Sequence, residues 1–167
     1  MDTSLNGKRA LITGAGDGIG REIAVAMARE GATVAVHGRS LVRIESTLAA
    51  IKAEGGTAIP ALADLADEDA IATMCEDALS SLGGLDVLVN NAGIYAIDDT
   101  PTMTPETWKS ILNINLTAPF LVTRAVYSAL IDSGSDASVI FISSIAADAH
   151  TNGWGAYAAS KNGLNAY

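Results

Sequence analysis

Short apolar runs recur along the chain, each closed by glycine or a small polar residue. Each is followed by a stretch whose apolar positions fall three and four apart, the spacing of a helix. "RALIT" (9–13) ends at glycines, and "IGREIAVAMAREG" after it reads as a helix stopped at Gly31. "TVAVHG" (33–38) is a second predicted strand, and "LVRIESTLAAIKAEGG" a helix ending on paired glycines. "TAIPALA" (57–63) is a third strand, weakened by Pro60. "DEDAIATMCEDALSSLGG" opens with acids suited to a helix N-terminus and closes on glycines. "LDVLVNN" (85–91) is the fourth strand. A long helix is predicted from about Pro105 to Ile131, starting at "TPETW" with a Thr cap and Pro in its first turn. "ASVIFISS" (137–144) is the fifth strand, and the final segment opens another helix.

Strands that are apolar throughout, each followed by a helix, describe a parallel sheet covered on both faces. Right-handed crossovers make it a doubly wound, Rossmann-like α/β fold. Residues 1–167 are read as one domain of five β-α units, the last incomplete. Ligands in such sheets bind beyond the carboxyl ends of the strands. The segments placed there are 13–20, 38–40, 64–65, 90–93 and 143–144.

Composition narrows the function. Apolar residues are about half of the chain (49%) and charged ones few (17%), the profile of a packed domain with buried strands. A net charge of −9 argues against a nucleic-acid surface and against anionic membranes. Each apolar run is broken before transmembrane length, and no signal peptide is visible, so the cytoplasm is the expected location. The single cysteine, Cys75, has no disulfide partner and sits at helical spacing among apolar neighbours, which suits core packing. His37 and His150 have no ligand-spaced partner, and no metal is expected.

The loop "TGAGDGIG" (13–20) joins the first strand to the first helix. Glycines there allow a sharp turn and let a pyrophosphate approach bare N–H groups at a helix N-terminus. The spacing Gly14-x-x-x-Gly18-x-Gly20 differs from the usual G-x-G-x-x-G, and a tight turn with no ligand is the competing reading. Further on come "NNAG" (90–93), "ISS" (142–144) and "YAASK" (157–161). In this order and context, the motifs resemble the short-chain dehydrogenase/reductase family over essentially the whole chain. "LGGLDVLVNNAGI" is similar to the 3-oxoacyl-(acyl-carrier-protein) reductase-like branch.

The resemblance implies a nicotinamide cofactor held by Gly14, Asp17, Gly18, Ile19 and Gly20, by Asn91, Ala92 and Gly93, and by Asp64 and Leu65 at the adenine. NAD-preferring relatives carry an acid at the end of the second strand, where this chain has Gly38 followed by Arg39 and Ser40. A guanidinium suits a 2′-phosphate, so NADP(H) is preferred and NAD(H) is the alternative. Against this, Asp17 stands where NADP-binding relatives often have a basic residue. Arg39 as a solvated surface residue and Asp64 as a helix cap remain open, and Asp67 is also placed to cap.

The same resemblance implies Asn115, Ser144, Tyr157 and Lys161 as the catalytic group. Tyr157 and Lys161 are four apart and share a helix face, and Ser144 precedes Tyr157 by the family's thirteen residues. A phenol is a poor base at neutral pH, and nearby cations favour its phenolate. Ser143 is read as backbone and cofactor support, Asn90 as partly structural, and Asn113 as facing away. His37 is expected near the adenosine end. His150 and Trp154 are read equally as substrate border or loop surface. The implied activity is interconversion of a ketone, such as a 3-oxoacyl thioester, with a secondary alcohol. The alternative is a truncated nucleotide-binding fragment without turnover. The family's later strands and mobile closing segment are not among these residues, and a homo-oligomer, dimer or tetramer, is implied for the complete form.

Overall fold

The computed structural model describes residues 5–134, 137–149 and 152–167. Five strands form one parallel sheet: β1 (Arg9–Ile12), β2 (Thr33–Gly38), β3 (Thr57–Leu62), β4 (Val87–Asn90) and β5 (Ser138–Phe141). Their order is β3-β2-β1-β4-β5. The chain moves outward from β1 to one edge, then returns to the other side of β1, so the connections diverge between β1 and β4. The register is Ala10↔Val34 and Ala10↔Val87, with Val89↔Ile140 beyond.

Helices α1 (Gly18–Arg29), α2 (Leu41–Ala53), α3 (Glu68–Leu82), α4 (Pro105–Leu112), α5 (Ala118–Asp132) and α6 (Gly155–Ala166) join and flank the strands. The central strands alternate their side chains between two cores, because successive residues point to opposite faces. Ala10 and Ile12 pack with Ala24, Val34, Val36 and Ile44 under α1 and α2. Leu11 packs with Ile71, Met74, Val122 and Val126 under α3 and α5. Cys75 belongs to the second core, where burial pushes its thiol up to about 12. Pro60 lies in edge strand β3, paired with Val36, where its missing N–H is least costly. At the other edge, Val139 and Ile140 of β5 are partly exposed.

Two helix features depart from a plain sequence reading. The segment from Pro105 to Asp132 is one continuous helical stretch, but Asn113–Thr117 is a π-helical turn in which Ala118 N–H bonds the Asn113 carbonyl. That widened turn sets Asn115 inward, and such turns recur at functional sites. The same stretch is also long and apolar enough to cross a membrane by length and composition, although no run of that length was expected. Its Ala118, Val122, Val126 and Leu130 lie in the core between α3 and α5, while Phe120, Tyr127 and Ile131 are exposed.

The end of the sheet away from the glycine loop is tied by one ion pair. Arg9 Nε and Nη2 donate to Asp86 Oδ2 and Oδ1 at 2.8 and 3.0 Å, and the Arg9 N–H adds a 2.8 Å bond. Arg9 also reaches the Gly83 carbonyl and Ser133 Oγ, joining β1 to the ends of α3 and α5. The guanidinium holds the Asp86 carboxyl at about 2, below its ordinary 3.8. On acidification the unfolded chain takes up this proton first, so the pair's stabilisation holds above about pH 4 and is lost toward pH 2. Asp86→Asn is expected to lower the unfolding free energy by about 2 kcal/mol at neutral pH. It should also flatten the stability-pH curve between those limits. Urea melts of both proteins across this range check it, and superimposable curves would refute it.

Candidate active site

The loop after β1 is folded by crowding. Gly14 has φ +63°, and a Cβ there would stand 2.8 Å from the Ala92 Cα. A Cβ at Gly16 would overlap the Arg43 carbonyl oxygen, and one at Gly20 the Gly14 carbonyl oxygen and Asn91 Nδ2. Only glycine allows α1, α2 and the residues after β4 to close on this loop.

Polar side chains then pin its inner half. Asn91 Nδ2 donates to the Thr13 and Gly14 carbonyls at 2.9 and 3.0 Å. Thr13 Oγ1 accepts from the Asn91 and Ala92 N–H groups. Thr47, wholly buried on α2, donates to the Ala15 carbonyl at 2.9 Å. His37 accepts the Gly14 N–H on Nδ1 at 2.9 Å. Its Nε2 lies 3.2 Å from the Ala63 carbonyl.

The outer half is left open. Asp17 precedes α1 in an extended conformation, and its side chain makes no capping bond. The first N–H groups of α1 therefore keep their donors, and the positive end of the helix faces a cleft. The cleft, about 550 Å³, runs from Arg39 and Arg43 past Gly18 and Asp64 to Gly93 and Ile94. Uncapped donors beside glycines with no room for side chains suit a pyrophosphate, and the length of the cleft suits a dinucleotide.

At the far end of β2, a Cβ on Gly38 would overlap Ile44 Cγ2, so α2 leaves no space there for an acidic side chain. Arg39 and Ser40 are exposed beyond it. Asp67 caps α3 by accepting from Asp69 and Ala70 N–H. The Asp64 carboxylate accepts from Ala66 N–H and borders the cleft, while Leu65 beside it is buried. Ile19 is exposed on α1, lining the same cleft.

Beyond Gly93 lies a second group of side chains. Lys161 on α6 is 4% exposed, and its ammonium donates to the Ile142 carbonyl at 2.7 Å. Burial lowers its pKa from the ordinary lysine value. The ammonium lies 5.8 Å from the centre of the Tyr157 ring, and a Cβ on Gly93 would stand 3.6 Å from it.

Asn115 is fully buried, and its side chain bonds both the N–H and carbonyl of Ile94 at 2.8 Å. It also donates to Ser160 Oγ at 3.0 Å, and that hydroxyl donates to the Tyr157 carbonyl at 2.7 Å. A polar chain thus links the residues after β4 to α6 through the π turn. Ser144 Oγ accepts from Ala146 N–H, which leaves its own hydrogen free to donate. Ser143 Oγ is buried with no partner among the described residues. Asn90 donates to Thr123 Oγ1 on α5, a purely internal bond, and Asn113 turns the other way toward Ala66.

Tyr157 also meets two other rings. Trp154 lies 5.3 Å from it and Tyr95 6.3 Å, both edge-on, while Tyr95 and Trp154 stack at 5.7 Å. Asp98 N–H bonds the Gly153 carbonyl at 2.9 Å, joining the two loops that carry these rings. His150 lies outside the described residues.

Several contributors escaped the sequence reading. Thr47 had a signal, since it shares a helix face with the buried Ile44 and Ile51. Gly16 lay within the quoted glycine loop, whereas Arg43, Ser160 and Tyr95 had no signal, because their roles depend on which element packs across them.

A 3-2-1-4-5 parallel sheet with flanking helices and an open helix N-terminus at its switch point is a doubly wound, Rossmann-like α/β fold. The short chain dehydrogenase family model matches residues 8–167, and the chain belongs to the short-chain dehydrogenase/reductase family. It is 36% identical over 166 residues to a short chain dehydrogenase/reductase of Colletotrichum higginsianum, covering 97% of this chain and 61% of that protein. It is 36% identical over 163 residues to a 3-oxoacyl-(acyl-carrier-protein) reductase of Synechocystis, covering 97% of this chain and 66% of that one. A crystal structure of a metagenomic short-chain oxidoreductase in complex with NADP superposes with a TM-score of 0.92 at 38% identity, covering 98% of this chain and 74% of the other. The chain thus spans about three fifths of the length of the curated relatives it matches.

Asn115→Ala leaves the N–H and carbonyl of Ile94 without their partner. A loss of roughly 2–4 kcal/mol in unfolding free energy is expected. Chemical denaturation measures it, and a change below about 0.5 kcal/mol would show these bonds to be replaceable by water.

Proposed function

We propose that the protein is an NADP(H)-dependent oxidoreductase interconverting a ketone and a secondary alcohol, with its reacting side chains built into one dinucleotide-binding domain. The observation that carries this reading is the buried Lys161 ammonium, one helical turn from Tyr157 at the end of a cleft suited to a dinucleotide. A buried cation with a single carbonyl partner retains donors for the hydroxyls of a ribose. The NADP complex of the metagenomic relative supports the same class of ligand.

When bound, the nicotinamide supplies a hydride to a carbonyl carbon or receives one from a carbinol carbon. The Tyr157 hydroxyl delivers the matching proton to the carbonyl oxygen, so hydride and proton together convert ketone to alcohol. The free hydrogen of Ser144 bonds that oxygen as charge develops on it. Lys161 holds the cofactor ribose. Asn115 keeps α6 and the Ile94 segment in register. Gly14, Asp17, Gly18, Ile19 and Gly20 border the pyrophosphate, with the exposed Asp17 at the mouth of the cleft. Asp64 and Leu65 meet the adenine, and Asn91, Ala92 and Gly93 border the nicotinamide half.

NADP(H) is preferred because Arg39 and Ser40, with Arg43 beside them, stand where the 2′-phosphate would lie. Ile44 also excludes an acid at Gly38. NAD(H) is the alternative, and the Asp17 carboxylate is what favours it. A 3-oxoacyl thioester is the substrate class suggested by the Synechocystis relative. The proposal includes a homo-oligomer, with the exposed Phe120, Tyr127, Ile131 and Tyr167 as its apolar contact face. A second reading is nucleotide binding without turnover. It is favoured by the open surroundings of Tyr157, where Tyr95 and Ile145 are exposed.

Tyr157→Phe is expected to lower NADPH-dependent ketone reduction by about 10²–10⁴-fold with little change in NADPH affinity. Undiminished turnover in that variant would exclude the mechanism. Saturable NADPH binding by the native chain with no substrate-dependent oxidation would favour the second reading.

Arg39→Glu should weaken NADPH about tenfold or more while NADH changes little. Fluorescence titration with both nucleotides decides this, and equal effects on the two would remove the specificity argument.

A further inference from the structure

The buried imidazole of His37 has no part in the chemistry above, yet it touches both walls of the adenosine end of the cleft. His37 lies near the end of β2, pairs with Ala61 of β3, and is 2% exposed. Its ring accepts the Gly14 N–H on Nδ1, while its own main-chain carbonyl accepts the Ala15 N–H at 2.8 Å. Two successive N–H groups of the glycine loop are thus held by one residue. On its other side the ring reaches the Ala63 carbonyl, next to Asp64.

These bonds select one form of the ring. The Gly14 N–H needs an acceptor, so Nδ1 carries no proton and Nε2 donates to Ala63. An imidazolium would set two N–H groups against each other at Gly14. Burial lowers the His37 pKa to about 4, with the Asp64 carboxylate acting in the opposite direction. The other charges bordering this part of the cleft are Asp17 on the loop, Arg39 beyond β2 and Arg43 on α2. The neutral form therefore prevails at physiological pH.

We propose that His37 is a positioning residue that holds the glycine loop and the Ala63–Asp64 turn at a fixed separation, so that the pyrophosphate and adenine ends of the cofactor are received together. This rests on the cofactor reading above, but the positioning of the loop is measurable without any nucleotide. Without the Nδ1 acceptor, the Gly14 N–H has no other partner at a conformation with φ +63°. That N–H is then left to water in the cleft, which does not fix the loop as the ring does.

Three variants separate the two bonds. His37→Asn places an amide oxygen where Nδ1 lies and retains the Gly14 acceptor. His37→Gln places its amide nearer the Nε2 position and loses that acceptor. His37→Phe keeps the ring and loses both bonds. Amide hydrogen exchange on the nucleotide-free protein should show Gly14 and Ala15 exchanging at least tenfold faster in His37→Phe and His37→Gln, with Val34 and Leu11 in the strands unchanged. His37→Asn should stay close to native. NADPH affinity, measured by fluorescence, should fall about tenfold in the first two and within threefold of native in His37→Asn. The imidazole nitrogens in a ¹⁵N spectrum of the native protein should report the Nε2–H tautomer.

Native Gly14 exchange in His37→Phe and His37→Gln would overturn the proposal. Equal losses in His37→Asn and His37→Phe would also overturn it, because ring packing rather than the acceptor would then be the cause. If His37→Phe does not fold, the comparison of His37→Gln with His37→Asn decides alone. Should the native protein bind neither NADPH nor NADH, the cofactor reading fails with the cofactor half of this proposal. The exchange data then still support or overturn the tie between His37 and the loop.

Discussion

The loop after β1 and the start of α1 are pressed against α2 and the residues after β4, with no space for a side chain at Gly14, Gly16 or Gly20. This close approach brings the N-terminus of α1 up to the cleft and sets Ala92 against the turn. It brings α2 close enough for Thr47 to bond Ala15. A single added methyl group at any of these positions would push an element outward, since interiors close-packed at this density do not absorb even one extra carbon without strain. The cleft is therefore a consequence of packing before it is a matter of polar groups.

The polar groups divide the labour between the two ends of the sheet. At the amino ends of β1 and β4, Arg9 and Asp86 satisfy each other and leave nothing for a ligand. At the carboxyl ends, donors are left in hand. The first turn of α1 has no side-chain cap, Ser144 keeps a hydrogen, and among the described residues the Lys161 ammonium bonds the Ile142 carbonyl alone. Of these donors Lys161 is buried, where an unmet donor is costly, while the start of α1 is exposed and Ser144 half-buried. Where they remain, the neighbouring side chains are tightly fixed: Asn115, Ser160 and Asn91 each bond at least two partners.

Much of this was legible beforehand because it depends on local chemistry. The parallel order of strands and helices follows from apolar runs separated by helical periodicity, and the family was identifiable from motifs that lie just after strands. Thr104 caps α4 and Gly83 ends α3 as their local signals imply. The interruption of the long helix at Asn113–Thr117 was not legible, since a π turn is held open by what Asn115 bonds across space rather than by its own residue preferences. Nor was the choice between Asp64 and Asp67 as the cap of α3, because both sit near its start and only the backbone path selects Asp67.

What the amino-acid sequence determined by itself is the alternation of elements, the places where glycine is needed for a turn, and the pairing of Tyr157 with Lys161 on one helix face. Each of these is set by interactions a few residues apart. Tertiary structure alone decided that His37 joins Gly14 to Ala63, that Gly38 has no room for an acid under Ile44, and that Asn115 reaches Ile94 and Ser160. Those contacts link residues 21 to 45 positions apart, or fill space left by another element, and a one-dimensional pattern has no term for either.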